Sequence, residues 1–300
     1  MTKYLKRLSV IIKQDPIVFV MGLGIILLAV MGTSVRHVSS AMFALLFLLS
    51  LSVIMSWPKV FSSLTKLEKL LVLSFVLYTV SGLLSYYNVD DVDKYIKLLE
   101  RYFRFLIAIP ILLLMIKKNT SLMNCLYIGA ALSGPFLFVI ALNHYLQYPD
   151  QPAKGYYHHI IFAQLAMVNV GIMIVYLITN DLRRMVQFGL LVSISCGLAA
   201  VIFSQARGAW IVFPVYLFVA FMYLFKNGKL RLNTVIALLV LTATMVSVTP
   251  IGDLIKTRTD AAYSEVTAFY NDGEYATSVG ARLAMWDIAL DVWKQHPVLG

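Results

Sequence analysis

"FGLLVSISCGLAAVIFSQARGAWIVFPVYLFVAFMYLF", residues 188–225, holds two apolar runs, 188–203 and 209–225, with the five residues "SQARG" between them. A helix crosses the hydrocarbon of a bilayer with about 20 mostly apolar residues. Inside lipid the backbone satisfies its own polar groups only as helix or closed barrel. Two such runs joined by five residues therefore read as neighbouring spans, with the turn at one membrane face. Similar runs occur near 17–35, 38–56, 69–86, 96–116, 122–143, 160–179 and 234–249, which makes about nine expected spans. The expected fold class is an all-α polytopic membrane protein. Composition agrees, with 60% hydrophobic and 13% charged residues, against about 25% charged in soluble domains.

The net charge of +10 is resolved by sorting charges over alternate loops. One set carries fourteen basic and three acidic residues, among them Lys3, Arg7, Lys59, Arg183, Arg184 and Arg231; the other carries eleven basic and twelve acidic. That asymmetry is the positive-inside pattern. It places the N-terminus in the cytoplasm and the chain after about residue 250 outside. The basic excess is an orientation signal, so no nucleic-acid partner is read from it. The start "MTKYLKRLSVIIKQDP" has a signal peptide's basic flank without a small-residue cleavage site, and reads as leading into a retained first helix. Cys125 and Cys196 fall within expected spans, which leaves no disulfide framework.

Two regions are expected: a transmembrane domain over 1–249 and the first part of a large outer loop over 250–300. In the latter, Leu283, Trp286, Leu290 and Trp293 recur at helical spacing, marking an amphipathic helix over 281–294. Its tryptophans suit the membrane–water interface. The chain stops at "HPVLG", and the expectation is a longer protein cut at its C-terminal side.

Four groups of residues carry potential chemistry. Arg207 is either a snorkelling side chain at the membrane rim or an anion ligand. In the second case Ser204, Gln205 and Gly208 turn the chain and expose backbone N–H groups, while the guanidinium forks onto phosphate oxygens. Arg282 is either an exposed helix residue beside Asp287 or a second clamp on the same anion. Lys94, Lys97, Arg101 and Arg104 share one helical face. They form either a snorkelling face balanced by Asp90, Asp91, Asp93 and Glu100, or a wall attracting an anionic lipid substrate. His158 and His159 diverge by about 100 degrees on a helix and have no third ligand at zinc-like spacing. They read as loop-ordering or substrate-contacting residues, and no metal site is assigned. His296 precedes a proline and reads as a helix end.

"SQARGAW" after an apolar span, then "GARLAMWDIALDVWKQHPVLG" about 75 residues on, resembles the O-antigen ligase and polymerase superfamily. Its members commonly show a Ser-x-x-Arg-Gly turn and an Arg-x-x-x-Trp helix ending in His-Pro-x-x-Gly. The resemblance implies a glycosyltransferase of the GT-C type, multi-pass in the bacterial inner membrane with its site facing the periplasm, and about twelve spans in full. It implies no cofactor, an undecaprenyl-diphosphate-linked glycan as donor and, for a ligase, lipid A-core as acceptor. By the resemblance Arg207 and Arg282 would bind the donor diphosphate and stabilise its leaving charge; from the residues themselves, Ser204 and Gly208 are expected beside that diphosphate and Lys97, Arg101, Arg104, His158 and His159 are expected to attract substrate. The superfamily's general-base histidine lies about 50 residues beyond the Arg-x-x-x-Trp helix, past position 300, and a base must reach the attacking hydroxyl. The 300-residue chain alone is therefore expected to be inactive, which a transfer assay checks. A polymerase or a protein O-oligosaccharyltransferase would share the donor and differ in acceptor. A transporter or flippase would place polar groups at the membrane midplane, whereas the charges here gather at the rims.

Overall fold

The computed structural model describes residues 16–51, 57–84, 92–117, 119–149, 151–228, 251–295 and 297. Among the described residues every regular element is a helix. The elements are α1 (Pro16–Met31), α2 (Val38–Ser50), α3 (Trp57–Ser63), α4 (Lys66–Leu84), α5 (Val92–Lys117) and α6 (Asn119–Gln147). They continue with α7 (His159–Thr179), α8 (Arg184–Phe203), α9 (Arg207–Trp210), α10 (Val212–Lys226), α11 (Ile251–Asp272) and α12 (Ser278–Gln295).

Among the described residues five stretches are long and apolar enough to cross a membrane: Lys66–Leu84, Leu122–Gln147, His159–Thr179, Arg184–Phe203 and Gly208–Lys226. Only 17% to 44% of each is buried inside the protein, so most of their apolar surface faces outward. Contiguous exposure on that scale marks contact with lipid or protein rather than water. The two helices α1 and α2 are apolar and shorter, at 16 and 13 residues. The first expected span stops at Met31 because the amides of Ser34 and Val35 both bond to its carbonyl, each at 3.0 Å, and turn the chain. The expected 96–116 span lies inside α5, a 26-residue helix with charges along its first half. The expected 234–249 span lies outside the described residues.

The chain divides into two compact units, residues 1–57 with 111–245, and 58–110 with 246–300. In the first, α6 packs on α1, α7 and α8. Small residues make that approach possible, as between helices in lipid generally. A Cβ on Gly134 would collide with the Ser193 carbonyl of α8, and the Ser193 hydroxyl donates to the Ala131 carbonyl at 2.5 Å. Asn169 of α7 donates to the Ala29 carbonyl of α1 at 3.1 Å. Phe162, Leu137, Ile194, Leu198 and Val201 fill the core between these helices.

In the second unit, α4 opens on a capping box. The Thr65 N–H and hydroxyl both donate to Glu68 Oε2, at 2.7 and 2.8 Å, and the Glu68 N–H donates to Thr65 Oγ1 at 3.3 Å. Against α5 it packs Tyr78 on a tilted Tyr102 (4.8 Å) and Phe75 edge-to-face with Phe105 (5.3 Å), and the Thr79 hydroxyl donates to the Tyr102 carbonyl at 3.1 Å. The helices α11 and α12 form a hairpin that turns beyond Gly273, whose φ of 65° suits glycine. It is closed by the Val279 N–H on Glu265 Oε2 at 2.8 Å. From sequence only α12 stands out, because Lys256, Arg258 and Asp260 interrupt the apolar positions of 251–272.

Candidate functional site at the loop end of the first unit

The turn between α8 and α10 is built from its own side chains. Ser204 is fully buried. Its hydroxyl donates to the Val201 carbonyl at 2.6 Å and accepts the Ala206 N–H at 3.3 Å, while Trp210 Nε1 reaches the same Val201 carbonyl at 3.4 Å. Ser204, set beside the diphosphate from sequence, thus points inward and holds the turn. Gln205 adopts φ of 54°, a left-handed conformation that costs a non-glycine residue about 1–2 kcal/mol. It ends α8 with its N–H on the Ile202 carbonyl at 2.9 Å. Arg207 then opens α9, its side chain outside what the structure describes, and Gly208 is exposed with no atom within 4 Å of a Cβ built on it. The chain here presents open space beside a rigid turn.

Two further connections lie at the same end of this unit. The loop joining α6 and α7 donates the Ala153 N–H to the Phe203 carbonyl at 2.9 Å, which bonds it to the last residue of α8. It also meets the turn between α1 and α2. Tyr157 donates its N–H to the Thr33 carbonyl at 3.5 Å, its hydroxyl lies 2.9 Å from that of Ser39, and a Cβ on Gly155 would sit 2.7 Å from the Thr33 oxygen and 2.8 Å from Ser34 Cα. Only glycine allows that approach. His37, at the start of α2, is left-handed at φ 61°.

On this frame lie exposed basic and aromatic side chains. The Arg36 guanidinium stands 5.9 Å from the centre of the Tyr156 ring. His158 caps α7, its Nδ1 accepting the Ile160 N–H at 3.4 Å, and its ring is 4.1 Å from that of His159. Lys154 is exposed and within electrostatic reach of His144 and His159. His144 lies 5.4 Å from Tyr148, and its buried Nδ1 has no hydrogen-bond partner. Among the described residues no group of three His, Cys, Asp or Glu side chains is placed to hold a metal ion. Sequence reasoning missed Arg36, Lys154 and Tyr156. The basic, aromatic stretch "AKGYYHH" was the available signal, but its meeting with Arg36 is tertiary.

The remaining candidates belong to the second unit. Lys97, Arg101 and Arg104 are exposed on α5, with Arg104 paired to Glu100 at 2.8 Å; the Lys94 side chain, Asp90 and Asp91 lie outside the described residues. Arg282 is exposed in the first turns of α12 and, among the described residues, forms no ion pair with Asp287. Along the same helix Leu283 is half-buried, while Trp286, Leu290 and Trp293 are exposed. His296 lies outside the described residues.

Residues 191–300 match the model of the O-antigen ligase family, a stretch that contains the 204–208 turn and α12. An uncharacterized protein of Haemophilus influenzae is 29% identical over 245 residues, covering 78% of this chain and 58% of that protein. The chain thus spans a little under six-tenths of that relative's length. No solved structure matches.

Proposed function

We propose that this chain forms the donor-binding part of a membrane glycosyltransferase of the O-antigen ligase kind, with its loop end facing the periplasm. The donor is a glycan on undecaprenyl diphosphate, the acceptor lipid A-core. The observation that carries this is the family match lying over a turn that the Ser204 hydroxyl and Trp210 hold closed, with Gly208 exposed beside Arg207. In the reaction an acceptor hydroxyl attacks the anomeric carbon of the glycan, and the bond from that carbon to the diphosphate oxygen breaks. The hydroxyl proton passes to a general base, a role given to none of the residues above. The diphosphate leaves with one more negative charge, which Arg207 and Arg282 stabilise, and a preorganised donor at such a centre is worth about 100-fold or more in rate. Ser204 and Trp210 keep the turn in place, and Lys97, Arg101, Arg104, His158 and His159 raise the local concentration of anionic substrate.

The test is the lipopolysaccharide of a strain deleted for the full-length gene, read with its pool of carrier-linked glycan and complemented with Arg207→Ala. Core without O-antigen, polymer held on the carrier and no rescue by an inserted Arg207→Ala protein are expected. Core capped by a single repeat assigns a polymerase instead, and an unchanged pattern overturns the reading.

A further inference from the structure

We infer that Arg36, Lys154 and Tyr156 form a second site on this rim, which binds an anionic saccharide apart from the diphosphate turn. The inference rests on the proposed transferase reading, because only a saccharide enzyme brings a sugar next to that turn. The local chemistry is specific enough to ask for such a ligand. Arg36 and Lys154 are exposed cations that form no ion pair among the described residues, and neither the 32–37 turn nor residues 204–208 contain a carboxylate. The one acid in the intervening loop, Asp150, lies outside the described residues. The Tyr156 ring is half open, at 50% exposure, and flanked by Arg36 at 5.9 Å and His37 at 6.5 Å. A flat aromatic face takes the C–H face of a pyranose, and a guanidinium with an ammonium takes phosphate or carboxylate oxygens. A headgroup phosphate alone has no use for the open ring.

The site is also built rather than merely exposed. The residues on it descend from two connections about 120 positions apart in sequence, joined by the Tyr157 bonds to Thr33 and Ser39 and by the glycine contact at Gly155. Left-handed non-glycine residues, which concentrate at functional sites, stand in both turns that the loop touches, at His37 and Gln205. Fixing the side chains before binding lowers the ordering cost of the complex.

The experiment is a binding titration on the purified full-length protein in detergent. Its probes are a lipid-free phosphorylated core oligosaccharide, the same oligosaccharide after dephosphorylation, undecaprenyl diphosphate and phosphatidylglycerol vesicles. Arg36→Gln with Lys154→Gln is expected to weaken the phosphorylated oligosaccharide tenfold or more, leaving undecaprenyl diphosphate unchanged. Tyr156→Leu should weaken both oligosaccharides, and Arg207→Gln should weaken undecaprenyl diphosphate alone. Equal affinity for the phosphorylated and dephosphorylated forms overturns the inference. So does an effect of the Arg36 and Lys154 changes confined to the vesicles, or equal loss of undecaprenyl diphosphate in that variant. If Arg207→Gln leaves carrier binding intact while the rim variant still loses the oligosaccharide, the diphosphate reading falls and the rim site stands. In the transfer assay, a raised KM for the acceptor alone puts the anionic sugar on the acceptor, and a raised KM for the donor alone puts it on the donor glycan.

Discussion

Cations are presented differently in the two units. On the loop end of the first, three connections are stitched together by backbone bonds, so that Arg36, Lys154 and the Arg207 backbone have little freedom relative to one another. In the second, Lys97, Arg101, Arg104 and Arg282 stand exposed on the faces of helices, and among the described residues the one ion pair they make joins residues four apart on one helix. A charge on a helix face is placed by local geometry alone, whereas a charge on a stitched rim is placed by the tertiary fold. Charges on helix faces attract; charges on the stitched rim can discriminate.

The comparison can be broken most forcibly at the rim. Removing the guanidinium by Arg207→Ala should lower transfer by about 100-fold or more, with insertion unchanged by protease accessibility; full activity would reduce Arg207 to a snorkelling residue. Gly155→Val comes next. Its side chain must displace the Thr33 and Ser34 backbone, so a loss of about 1–3 kcal/mol is expected as a lower unfolding midpoint in detergent, together with loss of oligosaccharide binding. Ser204→Ala leaves the Ala206 N–H without its acceptor and should cost about 1–2 kcal/mol, with a smaller drop in transfer than Arg207→Ala. In the second unit the effects should shrink. Arg101→Glu with Arg104→Glu should weaken substrate binding several-fold and more so at low salt, as steering by exposed charges does; unchanged affinity would make that face a headgroup contact. Glu100→Gln removes a surface pair worth about 0.3–0.5 kcal/mol and should leave the midpoint and transfer within error.

These differences follow what a sequence can carry. Hydropathy marked the stretches that became α4, α6, α7, α8 and α10, because length and apolarity are local. The serine and glycine around Arg207 likewise announced a turn. The inward direction of the Ser204 hydroxyl was not legible, since it depends on where the Val201 carbonyl is left at the end of α8. Nor was the truncation of the first span at Met31, which reflects a turn held open by its contact with the α6–α7 loop. The pairing of Arg36 with Tyr156 had no sequence signal at all, being set by helix packing between α1 and α6.

The bond from the Ala153 N–H to the Phe203 carbonyl has a kinetic consequence. A loop pinned at its middle to the end of an apolar helix is a poor swinging lid, so on the proposed transferase reading a lipid-linked polymer would meet a standing doorway rather than a hinged one. On that reading the residence time of the chain end would be set by how fast the polymer slides past the threshold. Turnover should depend more on glycan length and membrane viscosity than on any opening motion of the protein.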